Sequence, residues 1–239
     1  DVAVIGAGLC GLIAMAALKA NGIEDVRAFD RAPAGREGPW MTYARMQTLR
    51  TSKDLPGLAL GLPSLTFRAW YEAQFGRDAF EAMELIPTAQ WMDYLGWFRK
   101  VLDLDVINDA QVTSIAPRED GLFEIAYSGA SGSVHELARR VIIATGLDGL
   151  GQPFLPAVAE RIQRRYRAHG ADIIDMASLR GKRVAVVGSG SSAMDNAAAA
   201  LEAGAASVDL FARQSTLAKV DKLSGISGLG TRYGYFDLP

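Results

Sequence analysis

The sequence is poor in the residues that build disulfides, metal centres and membrane spans. Its 239 residues include one cysteine, Cys10, and two histidines, so it holds no internal disulfide and no Cys-x-x-Cys redox pair. No apolar run approaches the roughly 18 residues that a membrane helix needs, and a net charge of −2 offers no basic surplus for nucleic acid. No Ser-His-Asp set, metal-ligand cluster or export segment is recognisable. We therefore expect a cytoplasmic protein that binds small molecules, without metal, nucleic acid or membrane span.

Glycine, by contrast, is abundant, with 25 residues, and two glycine-rich turns each follow an apolar strand and precede a helix. In such a turn the first glycine permits a tight bend, the second lets a pyrophosphate approach the backbone, and the last small residue lets helix and strand pack closely. The helix N-terminus offers N–H groups and a positive dipole end to the phosphates. One such turn is a weak signal, but two turns in this strand–turn–helix context predict two dinucleotide sites. Two bound dinucleotides in one chain indicate that electrons pass from one cofactor to the other. The motif residues are Gly6, Gly8 and Gly11 in the first turn, and Gly188, Ser189, Gly190, Ser191, Ser192 and Ala193 in the second.

Each glycine turn belongs to a predicted strand–helix–strand unit, and the residue at the end of the second strand of that unit indicates which nucleotide binds there. In the first unit it is Asp30, about 20 residues beyond Gly11, where a carboxylate accepts hydrogen bonds from the free ribose hydroxyls of FAD or NAD. In the second unit Ala212 is followed by Arg213, which suits a 2′-phosphate, since an acid there would repel it. We predict NADPH at the second turn. The alternative is NADH, with Arg213 an ordinary surface charge.

A long irregular region follows the first unit, at residues 31–63. A loop of this length without periodicity is either functional or disordered. Its aromatic and basic residues, among them Trp40, Arg50 and Lys53, favour a functional loop. We predict that the part of the loop from Trp40 to Lys53 lies against the isoalloxazine, with Arg50 and Lys53 near enough to favour the anionic reduced flavin.

The middle of the chain is expected to hold two amphipathic helices and then several strands. The helices are predicted at 66–75, ending at Gly76, and from about residue 88. The second helix has a stripe that is either buried core or a ligand surface, formed by Trp91, Tyr94, Leu95, Phe98 and Leu102. Strands are predicted at 106–107, 112–115, 122–127, 134–137 and 141–144, with a hairpin turn at 128–132. A hairpin inserted before the last of these strands is typical of FAD domains and absent from plain NAD domains.

We therefore predict an α/β fold of two Rossmann-like dinucleotide-binding units, in three layers, with an inserted β-meander and a helical insert. The expected domains are an FAD-binding domain at 1–150 (helical insert about 64–102, meander about 106–138), a connector at 151–180, and the start of an NADPH-binding domain at 181–239. A basic run in the connector, 161–167, is interpreted as a solvated helix face. Without an initiator Met, and with little chain after the second turn, the sequence is expected to be part of a longer protein.

These segments resemble the class B flavoprotein monooxygenases, which include flavin-containing monooxygenases, Baeyer–Villiger enzymes and amine N-hydroxylases. The matching residues are Ile143-Ala144-Thr145-Gly146, Pro153, Pro156, Gly181-Lys182-Arg183-Val184 and the second glycine turn, with Gly38-Pro39-Trp40 where many members carry Gly-Gly-x-Trp. The middle of the chain is similar to the lysine/ornithine N-hydroxylase branch, through Met46-Gln47, Lys53-Asp54-Leu55 and Trp91-x-Asp93-Tyr94-Leu95-x-Trp97. The Phe-x-Gly-x-x-x-His stretch of the Baeyer–Villiger and flavin-containing enzymes is incomplete. His169 is in a suitable place, but the Phe and Gly are absent, which argues against Baeyer–Villiger chemistry.

The resemblance implies the cofactors and the chemistry. NADPH would reduce the flavin, and O2 would then form a C4a-(hydro)peroxyflavin that hydroxylates a nitrogen or sulfur of a small organic substrate. The alternatives are an NADPH-dependent flavin oxidoreductase without oxygenation and a non-catalytic FAD/NADPH-binding regulator; homo-oligomer formation is left open. The expected FAD contacts are Gly6, Gly8, Gly11, Asp30, Arg31, Trp40, Arg50, Lys53, Val112, Ala144, Thr145 and Gly146. The expected NADPH contacts are the second turn, Arg213 and, unless it is a plain surface histidine, His169.

Overall fold

The computed structural model describes residues 1–129, 132–146, 149, 151, 153–213 and 215. Its strands and α-helices, in chain order, are β1 (Val2–Ile5), α1 (Leu9–Ala20), β2 (Val26–Phe29), α2 (Phe67–Phe75), α3 (Arg77–Ala82), α4 (Thr88–Val101), β3 (Asp105–Ile107), β4 (Gln111–Pro117), β5 (Phe123–Gly129), β6 (Gly132–Ala138), β7 (Arg140–Ile143), α5 (Ala157–Glu160), β8 (Arg183–Val187), α6 (Ser191–Glu202) and β9 (Ser207–Phe211). Short 3₁₀ helices cover Pro63–Leu65, Arg164–Tyr166 and Met176–Leu179.

The chain forms two compact units that are discontinuous in sequence. The first unit contains Asp1–Thr42, Pro56–Phe80 and Ala89–Phe154; the second contains Tyr43–Leu55, Glu81–Thr88 and the described residues from Leu155 onward. The predicted domain boundaries at residues 150 and 180 stay a prediction. Much of the final predicted segment, 216–239, lies outside the described residues.

Four parallel strands form the sheet of the first unit, in the order β3-β2-β1-β7. Val4 and Ala28, in its central strands, are fully buried, because a parallel sheet is normally covered on both faces. Helix α1 contacts β1 and β2. The antiparallel meander β4-β5-β6 packs against Phe29 through Ile125 and Tyr127, with the Phe29 and Tyr127 ring centroids 4.9 Å apart. The predicted α/β class is confirmed.

The meander contains the predicted hairpin. Strands β5 and β6 pair antiparallel along their whole length. Two residues of the predicted turn, Ala130 and Ser131, lie outside the described residues. The pairing of β4 with β5 shifts register between Val112 and Ser114, an irregularity of the kind that bends a strand and increases its twist.

Helix α2 begins and ends where the sequence predicts. The Thr66 side-chain oxygen accepts a hydrogen bond from the Ala69 backbone N–H at 3.1 Å and so caps the N-terminus. Gly76 follows the last turn with a φ of 85°, a conformation that glycine adopts most readily. Sequence reasoning missed α3, which has six residues and buries only Phe80. A helix this short shows no apolar stripe that periodicity could detect.

The aromatic stripe of α4 is part of the core of the first unit. Trp91, Tyr94, Leu95 and Phe98 are buried, Tyr94 and Phe98 completely, while Leu102 is half-buried. The Phe67 ring of α2 meets the Tyr94 ring edge to face, with centroids 5.5 Å apart, a favoured aromatic geometry. Of the two interpretations left open by the sequence, the structure supports the buried core.

Replacing Tyr94 with phenylalanine should lower the free energy of unfolding by about 1–3 kcal/mol. The Tyr94 hydroxyl donates a hydrogen bond to the Leu65 carbonyl oxygen at 2.6 Å, and the variant leaves that carbonyl without its donor. Burial raises the pKa of the Tyr94 hydroxyl, so it remains a protonated donor at neutral pH. Urea denaturation checks the prediction. A Tyr127→Phe control, which removes a hydroxyl 3.1 Å from the Glu136 carboxylate at a less buried place, should cost less; equal losses would contradict it.

The second unit contains the second predicted strand–helix–strand segment. Strands β8 and β9 pair in parallel from Arg183↔Ser207 to Val187↔Phe211, and α6, which connects them, contacts both. Parallel neighbours joined by one helix are the expected βαβ arrangement. Within the described part of the chain, no helix combines the length and apolar character that crossing a membrane requires.

Candidate functional site

Two glycines of the first turn are required by the fold itself. Gly6 has a φ of 102°, and a Cβ added to it would lie 2.5 Å from the Ala144 carbonyl oxygen. A Cβ on Gly11 would lie 1.9 Å from the carbonyl oxygen of Gly6. Both distances are far below any tolerable contact. Gly6 therefore allows the tight bend beside β7, and Gly11 allows α1 to pack closely against the turn.

Gly8, the middle glycine, is different because no contact among the described residues requires a glycine there. Its φ of −67° and ψ of −169° suit any residue, and a Cβ there would meet its nearest protein atom, the Gly38 Cα, at an ordinary 3.6 Å. As the N-cap of α1 it provides no side-chain hydrogen bond, and the first helical turn has no acidic residue. The turn thus leaves an open cradle beside uncapped helix N–H groups, which fits a pyrophosphate.

Asp30 lies at the carboxyl end of β2 and is bound to the glycine turn. Its side chain is buried, with 8% of the residue exposed. One carboxylate oxygen accepts the Ala7 backbone N–H at 2.7 Å, and the other accepts that of Ala32 at 2.8 Å. Each oxygen can accept a further hydrogen bond. The carboxylate is therefore held in one orientation with capacity left for the hydroxyls of a ribose.

The segment with Trp40 passes directly over the glycine turn. A Cβ on Gly38 would lie 3.9 Å from the Gly8 Cα and 3.2 Å from the Trp40 ring, and Gly38 has a φ of 76°. The Trp40 ring meets the Trp91 ring edge-on, with centroids 6.0 Å apart. Trp40 is half-buried. The structure thus brings the predicted flavin-side tryptophan next to the predicted pyrophosphate cradle.

The remaining predicted FAD residues of the first unit lie near the carboxyl ends of its strands or in the meander. Ala144 follows β7 and donates its N–H to the Ile5 carbonyl oxygen at 2.8 Å, with Thr145 and Gly146 next along the chain. Arg31 is exposed beside Asp30. The Val112 side chain packs against the core between sheet and meander, which leaves its backbone as the part that could face a ligand.

Arg50 and Lys53, also predicted to face the flavin, bind partners in the second unit. The Arg50 guanidinium contacts both carboxylate oxygens of Asp195 at 2.5 Å. Lys53 Nζ donates to the Glu81 carbonyl oxygen at 3.0 Å. A role for either cation toward the flavin stays a prediction, but the contacts on Arg50 lead to α6, the helix that follows the second glycine turn.

The second glycine turn repeats the geometry of the first. Gly188 has a φ of 132°, and a Cβ there would lie 3.5 Å from the Ala193 Cβ. Gly190 has an ordinary φ of −79° as the N-cap of α6, and a Cβ on it would meet nothing within 4 Å. Ser191 and Ser192 open the helix and are exposed, while Ser189 is half-buried. This turn therefore has its own open cradle at its middle glycine.

Arg213 lies two residues beyond β9, beside the second turn. The Gly188 N–H donates to the Phe211 carbonyl oxygen at 2.9 Å, which places Ala212 and Arg213 at the same edge of the strand pair as the turn. Arg213 is exposed, and within the described residues the structure assigns it no ion pair. The predicted contact of Arg213 with the 2′-phosphate of NADPH stays a prediction.

His169 is held by a turn that the sequence did not reveal. Its Nδ1 accepts the Ala171 backbone N–H at 3.1 Å, so the neutral ring carries its proton on Nε2. Asp172 accepts the His169 backbone N–H at 2.9 Å and an N–H of Arg164 at 3.0 Å. These two donors, the backbone bond first, lower the pKa of the Asp172 carboxyl. Asp172 three residues after His169 was the available signal, since an aspartate side chain can hydrogen-bond the backbone three residues earlier.

Sequence reasoning also missed an ionic cluster around the buried Glu37, in the segment that leads to Trp40. The Glu37 carboxylate, 8% exposed, accepts hydrogen bonds from Gly35 N at 2.8 Å, Asn108 Nδ2 at 2.7 Å and Arg99 at 3.2 Å. The cluster fixes this segment to α4 and to the end of β3, beside a cavity of about 450 Å³ that Ala7 also lines. Arg99 and Asn108 are 62 and 71 residues from Glu37, so no local sequence pattern could predict that they bind it.

Comparison with known proteins identifies a family and a curated relative. The sequence profile of the family described as pyridine nucleotide-disulphide oxidoreductase matches residues 3–227. The chain is 41% identical over 240 residues to a protein named FAD-dependent urate hydroxylase, from Xanthomonas campestris pv. campestris. That match covers 100% of this chain and 50% of the relative. The chain therefore spans about half the length of the curated relative it matches.

Solved structures share the fold. The ornithine hydroxylase of Pseudomonas aeruginosa has a TM-score of 0.76 and 20% identity, over 94% of this chain and 57% of that one. The FAD-bound cadaverine monooxygenase of the desferrioxamine pathway in Erwinia amylovora has a TM-score of 0.73 and 16% identity, over 100% of this chain and 58% of that one. At these identities the likeness extends to the fold alone.

Proposed function

The chain belongs to the pyridine nucleotide-disulphide oxidoreductase family, and from this premise we propose that the protein is an FAD- and NADPH-dependent monooxygenase. The observation that carries the proposal is the presence of two glycine turns, each with one glycine that the fold does not require. Gly8 and Gly190 both have room for a Cβ, so the absence of a side chain is explained by a ligand that approaches the backbone. The single cysteine, Cys10, provides no dithiol within this sequence for the disulphide chemistry in the family's name.

We assign FAD to the first turn. The uncapped N-terminus of α1 would bind the pyrophosphate, and Asp30, already oriented by Ala7 and Ala32, would accept the ribose hydroxyls. Trp40 would limit the access of water on the flavin side. When bound, FAD accepts hydride and activates O2, while the protein supplies orientation and a dry pocket.

We assign NADPH to the second turn. Gly190 would admit the pyrophosphate to the N-terminus of α6, and Ser191 and Ser192, exposed in its first turn, would add hydroxyl donors. Arg213 would bind the 2′-phosphate by paired, charge-assisted hydrogen bonds. Ala212 beside it supports this choice, because an acid at that position would repel the phosphate.

The substrate is proposed as a small nitrogen-containing molecule. The resemblance to the N-hydroxylase branch supports this class, and the relative named FAD-dependent urate hydroxylase, at 41% identity, makes urate the first compound to test. Oxygenation would consume one O2 and one NADPH for each hydroxylated product, with the second oxygen atom leaving as water.

The test is a stoichiometry on the full-length, FAD-loaded protein. NADPH consumed, O2 consumed, hydrogen peroxide released and hydroxylated product formed are measured together, with urate and then with small amines. We expect NADPH oxidation that is accelerated by a substrate and yields about one product per NADPH. Oxidation that ends only in peroxide with every compound indicates a flavin oxidoreductase, and tight NADPH binding without oxidation indicates a regulator; either result contradicts the proposal.

A further inference from the structure

A segment of the irregular loop is fixed to the helix that follows the second glycine turn. Arg50 contacts the Asp195 carboxylate of α6 at 2.5 Å, and Gln47 Nε2 donates to the Glu202 carboxylate, on the same helix, at 3.2 Å. Arg45 donates to the Asp172 carbonyl oxygen at 2.7 Å. All of these residues belong to the second unit. Arg50, whose position near the flavin stays a prediction, is therefore the counter-ion of an aspartate on α6.

Asp195 is an unfavourable residue for a helix that must attract phosphates. It lies four residues beyond Ser191, where α6 begins, and so about 6 Å along the axis at 1.5 Å per residue. The negative charge of a carboxylate this close to the helix N-terminus repels a pyrophosphate and so opposes the attraction of the positive end of the helix dipole. Its side chain is 22% exposed, so water screens its charge only in part.

We propose that Arg50 is a positioning residue for the nicotinamide dinucleotide. It favours binding of the dinucleotide at the second turn by neutralising the Asp195 carboxylate. Arg50 need not touch the cofactor: its guanidinium cancels a carboxylate that would otherwise oppose the phosphates at the second turn. The inference rests on the proposed binding of NADPH at that turn and adds a residue that neither motif nor family profile assigns. A purely mechanical role, in which the ion pair only fastens the loop to α6, makes a different prediction.

The two roles are separated by removing each partner of the ion pair in turn. Electrostatic neutralisation predicts that Arg50→Ala weakens binding about 5- to 10-fold, because an unpaired carboxylate then lies within the first turns of the helix proposed to bind the phosphates. It predicts that Asp195→Asn does not weaken binding, and that the double variant returns to within about twofold of wild type. A mechanical fastening predicts that both single variants weaken binding and that the double variant binds no better than Arg50→Ala, since Arg50→Ala removes the contact and Asp195→Asn weakens it by removing one of the two charges.

The measurement is calorimetric titration of NADP⁺ into the FAD-loaded protein, at low and at high salt. The matched control is Arg118→Ala, which removes an exposed arginine paired with Asp120 in the first unit. FAD content and thermal midpoint are recorded for every variant. We expect the Arg50→Ala effect to shrink at high salt, where partly exposed charges are screened, and Arg50→Lys to bind within about twofold of wild type.

Three results would overturn the inference. They are an unchanged dissociation constant in Arg50→Ala, a loss in Asp195→Asn equal to that in Arg50→Ala, and a double variant as weak as Arg50→Ala. If Arg50→Ala does not fold, Asp195→Asn alone still decides, because a weakened affinity there contradicts neutralisation. Failure of the wild type to bind NADP⁺ at all would instead overturn the proposed function, and the inference with it.

Discussion

Replacing Gly8 with valine should give a folded protein that purifies almost free of flavin, with FAD affinity reduced roughly 100-fold or more. The backbone of Gly8 has an ordinary extended conformation, which a β-branched residue adopts easily. The nearest protein atom to an added Cβ is 3.6 Å away, so little strain within the protein is expected. The side chain would instead occupy the cradle that the pyrophosphate needs.

The equivalent change in the second turn, Gly190→Val, is the matched control. A Cβ there meets no atom of the described residues within 4 Å, so this variant should fold, keep its FAD and lose NADPH binding. Flavin absorbance per protein, circular dichroism and NADP⁺ titration on both variants check the pair. A Gly8→Val protein that still carries stoichiometric FAD would show that the first turn is not the flavin site.

Arg213→Ala should weaken NADPH binding about 10- to 100-fold and leave NADH nearly unchanged. A guanidinium bound to a 2′-phosphate contributes about 1.5–3 kcal/mol, and each 1.4 kcal/mol is a factor of ten in affinity. Arg213 is exposed and close to the second turn through the contact between Gly188 and Phe211. The discrimination therefore depends on a side chain that is available to a ligand.

Arg183→Ala is the control for charge alone, because Arg183 is also exposed but begins β8 at the opposite end from the turn. Steady-state kinetics with both nucleotides on the wild type and the two variants decide the matter. Ala212→Asp should shift the preference toward NADH, since a carboxylate repels the 2′-phosphate. An equal loss of affinity for NADPH and NADH in Arg213→Ala would mean that the arginine does not bind the 2′-phosphate.

Much of the fold could be predicted from the sequence because its signals are local. The helix α2 was predicted at 66–75 with its end at Gly76, and the hairpin of β5 and β6 was predicted from the Gly- and Ser-rich turn at 128–132. The short helix α3 was missed because six residues give no periodicity. The aromatic stripe of α4 was identified by spacing, but only packing against Phe67 distinguished core from ligand surface.

The sequence by itself determined the two glycine turns, the position of Asp30 after the second strand and the α/β class, since each of these depends on residues close together in the chain. Only the tertiary structure decided which partner each loop charge meets. Arg50 is 145 residues from Asp195, and Glu37 is 71 residues from Asn108. The sequence of a charged side chain and its neighbours does not identify its partner, because partners are selected by the packing of distant segments. The sequence therefore could not predict that Arg50 pairs with α6, and its predicted position near the flavin stays a prediction.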